Sequence, residues 1–142
     1  MTYRRSVAVA AVATGLAFAG MAPANASNHI NCDGVEVPRC VQVQRSGGGV
    51  RATSWIDDAA GGRDFSVSVN SVMLYKLVNG SWQAVAGSGD YDGWHAQQDT
   101  AATGLISQCG AYFKAVTWTQ YKGAEANGYW QSTGSVWIDS GC

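Results

Sequence analysis

Apolar and polar residues alternate with period two along most of the chain beyond residue 40, the pattern of strands with one buried face. No window carries the 3.6-residue spacing of an amphipathic helix. Cys40-Val-Gln-Val-Gln-Arg45 alternates cleanly, and Ser46-Gly-Gly-Gly49 turns the chain into a second strand, Val50–Ile56. Asp57–Arg63 reads as a loop. Phe65–Val69 alternates again, and Val72–Val78 continues it after a parity slip at Asn70-Ser71, where a bulge is expected. Asn79-Gly80 predicts a type I′ hairpin, because both central residues tolerate positive φ. Pairing outward from it sets Leu77 opposite Trp82, Tyr75 opposite Ala84 and Leu74 opposite Val85. Residues 87–104, rich in Gly, Asp, Gln and Thr, predict a short edge strand and two loops, and Leu105–Gln108 a further strand.

The C-terminal third predicts a second hairpin. Ala111–Tyr121 and Tyr129–Ile138 flank the loop Lys122-Gly-Ala-Glu-Ala-Asn-Gly128. Centring that loop on Glu125-Ala126 sets Phe113 against Ile138, Ala115 against Val136 and Tyr121 against Trp130. This side is apolar or small and is expected to face the core. The opposite face carries Tyr112, Lys114, Val116 and Trp118, with Trp137 across from Lys114.

About seven or eight short strands with turn signals every 8–12 residues predict an all-β fold, a single antiparallel β-sandwich. The stretch Val72–Val85, followed later by Gly110-Ala-Tyr-Phe-Lys-Ala-Val116, resembles immunoglobulin-like and fibronectin-III-like domains of secreted, actinobacterial-type proteins, over residues 40–138. The resemblance implies an Ig-like architecture and a binding or spacer role, and no particular activity.

Ahead of this domain, residues 1–26 have the layout of a secretory signal peptide. Arg4 and Arg5 form a charged start, Val7–Ala22 is apolar, and Ala24-Asn25-Ala26 offers a small-x-small cleavage site. The apolar run is too short and too rich in Ala and Gly for a good membrane span, so an integral membrane protein is not expected. The remainder, Ser27–Cys142, suits one domain, expected to be monomeric and extracellular. Without Arg4 and Arg5 the nine basic residues fall to seven against ten acidic ones, which argues against nucleic acid as a partner. All six tryptophans lie in this part. An extracellular polysaccharide or a secreted protein remains the open partner class.

Four cysteines follow the signal: Cys32, Cys40, Cys109 and Cys142. An even count in an exported chain predicts two disulfides, with three possible connectivities. The hairpin register favours Cys32 with Cys40 and Cys109 with Cys142. The rival is Cys40 with Cys109, since Cys40…Trp55…Cys109 has the spacing of an immunoglobulin intersheet bridge, although Ser107 stands where that family carries Tyr. With no Cys-x-x-Cys pair, thiol chemistry and zinc ligation by cysteine are not expected.

Catalytic chemistry has little to build on. His29 and His95 lack the partners of a triad, no Gly-x-Ser-x-Gly elbow occurs, and a copper site would require cleavage directly before His29. Asp57, Asp58, Asp90 and Asp92 could pair for glycoside hydrolysis or calcium, but Asp90-Tyr-Asp-Gly93 is more readily turn chemistry. No catalytic residue, metal or cofactor is therefore expected. The aromatic residues are the candidates for binding: Tyr112, Lys114, Trp118 and Trp137 on the outward face of the second hairpin, extended by Trp94 and Trp130 and by Tyr91 and Tyr129 near loops. The competing expectation is that residues 87–104 cover this face, with Lys114 over Trp137. A secreted inhibitor presenting the loop Lys122–Gly128 is a further possibility.

Overall fold

The computed structural model describes residues 29–59 and 65–139, so the expected signal peptide over residues 1–26 and Cys142 lie outside the described residues. These residues form nine strands and, among them, no helix: β1 His29–Asp33, β2 Arg39–Ser46, β3 Gly49–Asp57, β4 Ser66–Val78, β5 Ser81–Gly89, β6 Gln98–Ala102, β7 Ala111–Lys122, β8 Ala126–Ser132 and β9 Val136–Ile138. All pairings are antiparallel. One sheet has the order β1-β2-β3-β6, the other β5-β4-β7-β8 with β9 also on β7.

Period two explains the packing. Val41 and Val43 on β2, with Val50, Ala52 and Ile56 on β3, point one way. They meet Val67, Val69, Val72 and Leu74 of β4 and Ala111, Phe113 and Ala115 of β7, in one core between the two sheets. Fully burying an aliphatic or aromatic side chain of this size contributes about 1.5–3 kcal/mol. A hydroxyl relay crosses that core: Ser54 Oγ and Thr117 Oγ1, both fully buried, lie 2.7 Å apart and reach the carbonyls of Cys40 and Ser71.

The Asn79-Gly80 turn forms as expected, with φ of 50° and 78° at its two central residues. Leu77 faces Trp82 and Tyr75 faces Ala84, but Leu74 faces Ala86 rather than Val85, because Val85 is an extra residue in a bulge. The expected slip at Asn70-Ser71 is a register shift between Val69 and Ser71. Leu105–Gln108 is not a strand; only Ile106 makes an isolated bridge, to Val50.

At the N-terminal side Cys40 does not open the first strand. β1 precedes it and places Cys32 directly opposite Cys40, and these two form a disulfide. The rival bridge from Cys40 to Cys109 is thereby excluded. The Cys109–Cys142 pairing involves a residue outside the described ones.

The second hairpin differs most from expectation. β7 and β8 extend so far that only Gly123–Glu125 remain between them, so Lys122–Gly128 is not a long projecting loop. Trp118 faces Trp130, and Tyr121 faces Asn127 rather than Trp130. β9 follows a different register: Ala111 faces Ile138 and Phe113 faces Val136. Thr133 makes the break between them. Its amide donates to the Ala115 carbonyl, and its hydroxyl accepts from the Ala115 amide, so Ala115 meets Thr133 and not Val136.

The slip reverses the two faces of β8. Tyr129 turns toward the end of the core, stacked on Tyr121 at 5.7 Å, with the Arg39 guanidinium 3.9 Å over its ring. The Tyr121 hydroxyl is pushed above its usual range, first by its hydrogen bond to Tyr129 and then by burial. Tyr129 therefore caps the sandwich and is no part of an outward aromatic face.

Candidate functional site

The outer face of the five-stranded sheet collects the aromatic residues. On β7 the inward residues Phe113, Ala115, Thr117 and Thr119 are buried, which leaves Tyr112, Lys114, Val116 and Trp118 on the outer side. Trp130 on β8 stands opposite Trp118, with ring centroids 5.0 Å apart and planes inclined by 44°. Trp137 on β9 stands opposite Tyr112, in an edge-to-face contact at 5.1 Å. The structure thus joins four of the expected residues into two directly opposed pairs. Tyr112, Trp130 and Trp137 keep 46%, 69% and 47% of their surface exposed.

The other half of the same face lies on β4 and β5. The Lys114 ammonium sits 4.6 Å over the ring of Trp82 and 5.6 Å from that of Tyr75. It does not lie over Trp137: the β9 register puts Tyr112, not Lys114, across from that residue. The cation attracts the negative ring faces and holds the long side chain down. Nor do residues 87–104 cover the face. β5 runs on to Gly89 in the plane of the sheet, and the following chain continues along β4, where His95 bridges Val67. This continuation adds Tyr91, whose ring lies against Gly89, and Trp94, under the Lys122 ammonium at 4.5 Å. Trp82 and Tyr75 were not singled out in the sequence. Their opposition to Lys114 depends on pairing between β4 and β7, strands with a long stretch of chain between them.

Small residues make the platform possible. A β-carbon on Gly128 would run into the benzo ring of Trp118, so only glycine lets that indole lie down across β8. Across the sheet, Gly89, Ser71, Trp118 and Trp130 are successive cross-strand neighbours. Polar Ser71, Gln120 and Ser132 share this outer side with the rings.

The acidic candidates divide between two places, Asp57 and Asp58 at the end of β3 and Asp90 and Asp92 after β5. Asp58 accepts from the Phe65 amide, and Asp57 ends β3 opposite Gln98. Asp90 accepts from the Asp92 amide, a turn contact of the kind expected. Beside it lies a grouping that the sequence did not suggest. His95 Nε2 is 2.9 Å from Asp92 Oδ1 and 3.6 Å from Asp99 Oδ1. The Asp92 contact above all, helped by the charges of Asp99, Asp92 and Asp90, holds the His95 imidazole above its ordinary range against the opposing effect of burial. The same contact holds Asp92 below the usual carboxylate range. Asp90 is pushed up, by burial above all. A spacing of three and four residues across loop and edge strand gave no periodic signal to find this grouping by.

Among the described residues no helix is long and apolar enough to cross a membrane. No family model, curated protein or solved structure matches the chain.

Proposed function

We propose that the chain is an exported, non-catalytic binding module whose outer aromatic face stacks on the sugar rings of an extracellular polysaccharide. The observation that carries this reading is the pairing of Trp118 with Trp130 and of Tyr112 with Trp137 on one exposed sheet face. Large aromatic side chains left in water in a contiguous group mark an interaction surface, because leaving them uncovered forfeits their burial. The face of a pyranose ring presents C–H groups that pack against aromatic π faces, while its rim of hydroxyls needs hydrogen-bonding partners. Ser71, Gln120 and Ser132, interleaved with the rings, supply such partners. A face that joined a second protein would have less use for that alternation. The inhibitor reading has less support, since the turn at Gly123–Glu125 is too short to present an extended segment to an enzyme.

Retention on insoluble chitin, cellulose and bacterial cell wall tests the proposal, with Trp130→Ala and Trp137→Ala as the probes. Each substitution removes one ring contact, at a cost of about 0.5–1.5 kcal/mol, and thermal melting establishes that the variants stay folded. Retention on one of these polymers, lost in the double variant, supports the reading. Absence of retention on all three, or equal retention by the double variant, overturns it.

A further inference from the structure

We propose that Asp92, His95 and Asp99 form a binding site for a divalent transition metal, with zinc the ion best matched to their donors. Their ligand atoms, one imidazole nitrogen and one oxygen from each carboxylate, all lie within 4.8 Å of one another. A shift of about an ångström in each would bring them to the roughly 2.0–2.2 Å distances that zinc takes to nitrogen and oxygen.

The supports of the site are fixed by the fold. The amide and carbonyl of His95 both bond to Val67, at 2.9 and 2.8 Å, so its backbone is locked to the edge of β4. Asp99 is 5% exposed, and each of its oxygens is held by a backbone amide: Val69 at 2.6 Å on Oδ2 and Thr100 at 2.8 Å on Oδ1. Groups that orient a ligand from behind in this way are what metal sites require of their surroundings.

Two independent observations point to a cation. First, His95 Nε2 has almost no solvent-accessible surface, and no well-aligned hydrogen bond reaches it among the described residues, although Asp92 Oδ1 is only 2.9 Å away. A buried ring nitrogen between two carboxylates, in contact but not bonded, is satisfied by an ion that all three share. Second, the surroundings are over-supplied with negative charge. Asp90 adds a third carboxyl group, whose Oδ1 accepts from the Asp92 amide at 3.2 Å.

The donor set narrows the ion. The imidazole disfavours calcium and magnesium, which take oxygen ligands, and the absence of thiolate or thioether donors disfavours soft ions. Three protein ligands leave a fourth position open to water or to a ligand atom. The same segment carries Tyr91 against Gly89 and Trp94 beneath Lys122, so a bound ion would fix both rings at the margin of the aromatic face. The site does not depend on that face binding polysaccharide.

Isothermal titration of the chelator-stripped, disulfide-intact chain with zinc chloride, in a buffer that does not coordinate metals, tests the proposal. One equivalent is expected to bind with a dissociation constant below about 100 µM. His95→Ala and Asp92→Asn are expected to weaken binding by roughly 10-fold or more. These two positions are partly exposed, whereas Asp99 also holds the Val69 amide and is a poorer probe. Circular dichroism establishes that both variants keep the sheet. Zinc should also shift the ring nitrogen resonances of His95. No binding up to about 1 mM zinc, binding equal in both variants, or an unmoved His95 resonance overturns the proposal.

Discussion

Trp118 and Trp130 face each other across β7 and β8 at 5.0 Å, and the Trp118 benzo ring occupies the space that a side chain on Gly128 would need. One glycine therefore sets the shape of the aromatic face. Gly128→Val should push Trp118 off the strand, at a cost of about 1–3 kcal/mol for the crowding. The exciton signal of two close indoles in far-ultraviolet circular dichroism should disappear, and thermal melting should show the domain still folded. An unchanged exciton signal would mean that the ring sits elsewhere.

The Ser54–Thr117 relay is a fully buried polar contact in a mostly apolar interior. Thr117→Val keeps the shape of the side chain but strips Ser54 of one partner, and is expected to destabilise by about 1–3 kcal/mol. Adding Ser54→Ala should recover part of that loss, because both polar groups are then gone. Urea unfolding of the two single variants and the double variant measures the coupling. Strict additivity would show that the two hydroxyls do not act together.

β1 is exposed along its whole length, and its attachment to β2 includes the Cys32–Cys40 disulfide. The bridge spans eight residues of sequence, a loop for which closure entropy gives about 2.5 kcal/mol. Replacing both cysteines by serine should lower stability by about that amount. Hydrogen exchange should rise chiefly in β1, while the Val41–Val43 amides of the central core stay protected.

His95 should titrate above the ordinary imidazole value of about 6.5, and Asp92→Asn should lower its midpoint. A folded-state value raised above the unfolded one adds stability that is fully present below the unfolded value. That contribution is lost as pH rises through the folded one. The stability difference between the chain and Asp92→Asn should accordingly shrink between weakly acidic and weakly alkaline pH. Proton NMR of the His95 ring, with chelator present, follows the titration directly. A midpoint unmoved by Asp92→Asn would remove the contact as its cause.

Local chemistry accounts for what could be read before the fold was known. Asn79-Gly80 determines a type I′ turn, and the first two pairs outward from it, Leu77 with Trp82 and Tyr75 with Ala84, follow. The prediction fails one pair later because the Val85 bulge is a choice of backbone geometry that no residue type announces. The same limit applies at Lys122–Gly128. That polar segment has no residue pair committing it to a turn, so strand pairing lengthened at both ends and displaced the register. A slip by an odd number of residues exchanges the two faces of a strand, and here Tyr121 meets Asn127 three residues short of Trp130, which is why Trp130 moved outward and Tyr129 inward.

The sequence by itself determined an all-β chain, the inward and outward sides of β7, and thereby the outward placing of Tyr112, Lys114 and Trp118. Period-two alternation is a local property, and burial of the apolar side follows from it. Only the tertiary structure decided which residues share the outer face with them. Trp82 and Tyr75 reach Lys114 through pairing between strands far apart in the chain, and the short segment holding His95 and Asp99 takes its shape from anchors on β4 at Val67 and on β3 at Ile56. Those pairings minimise exposed apolar surface over the whole domain, a condition that no single segment carries.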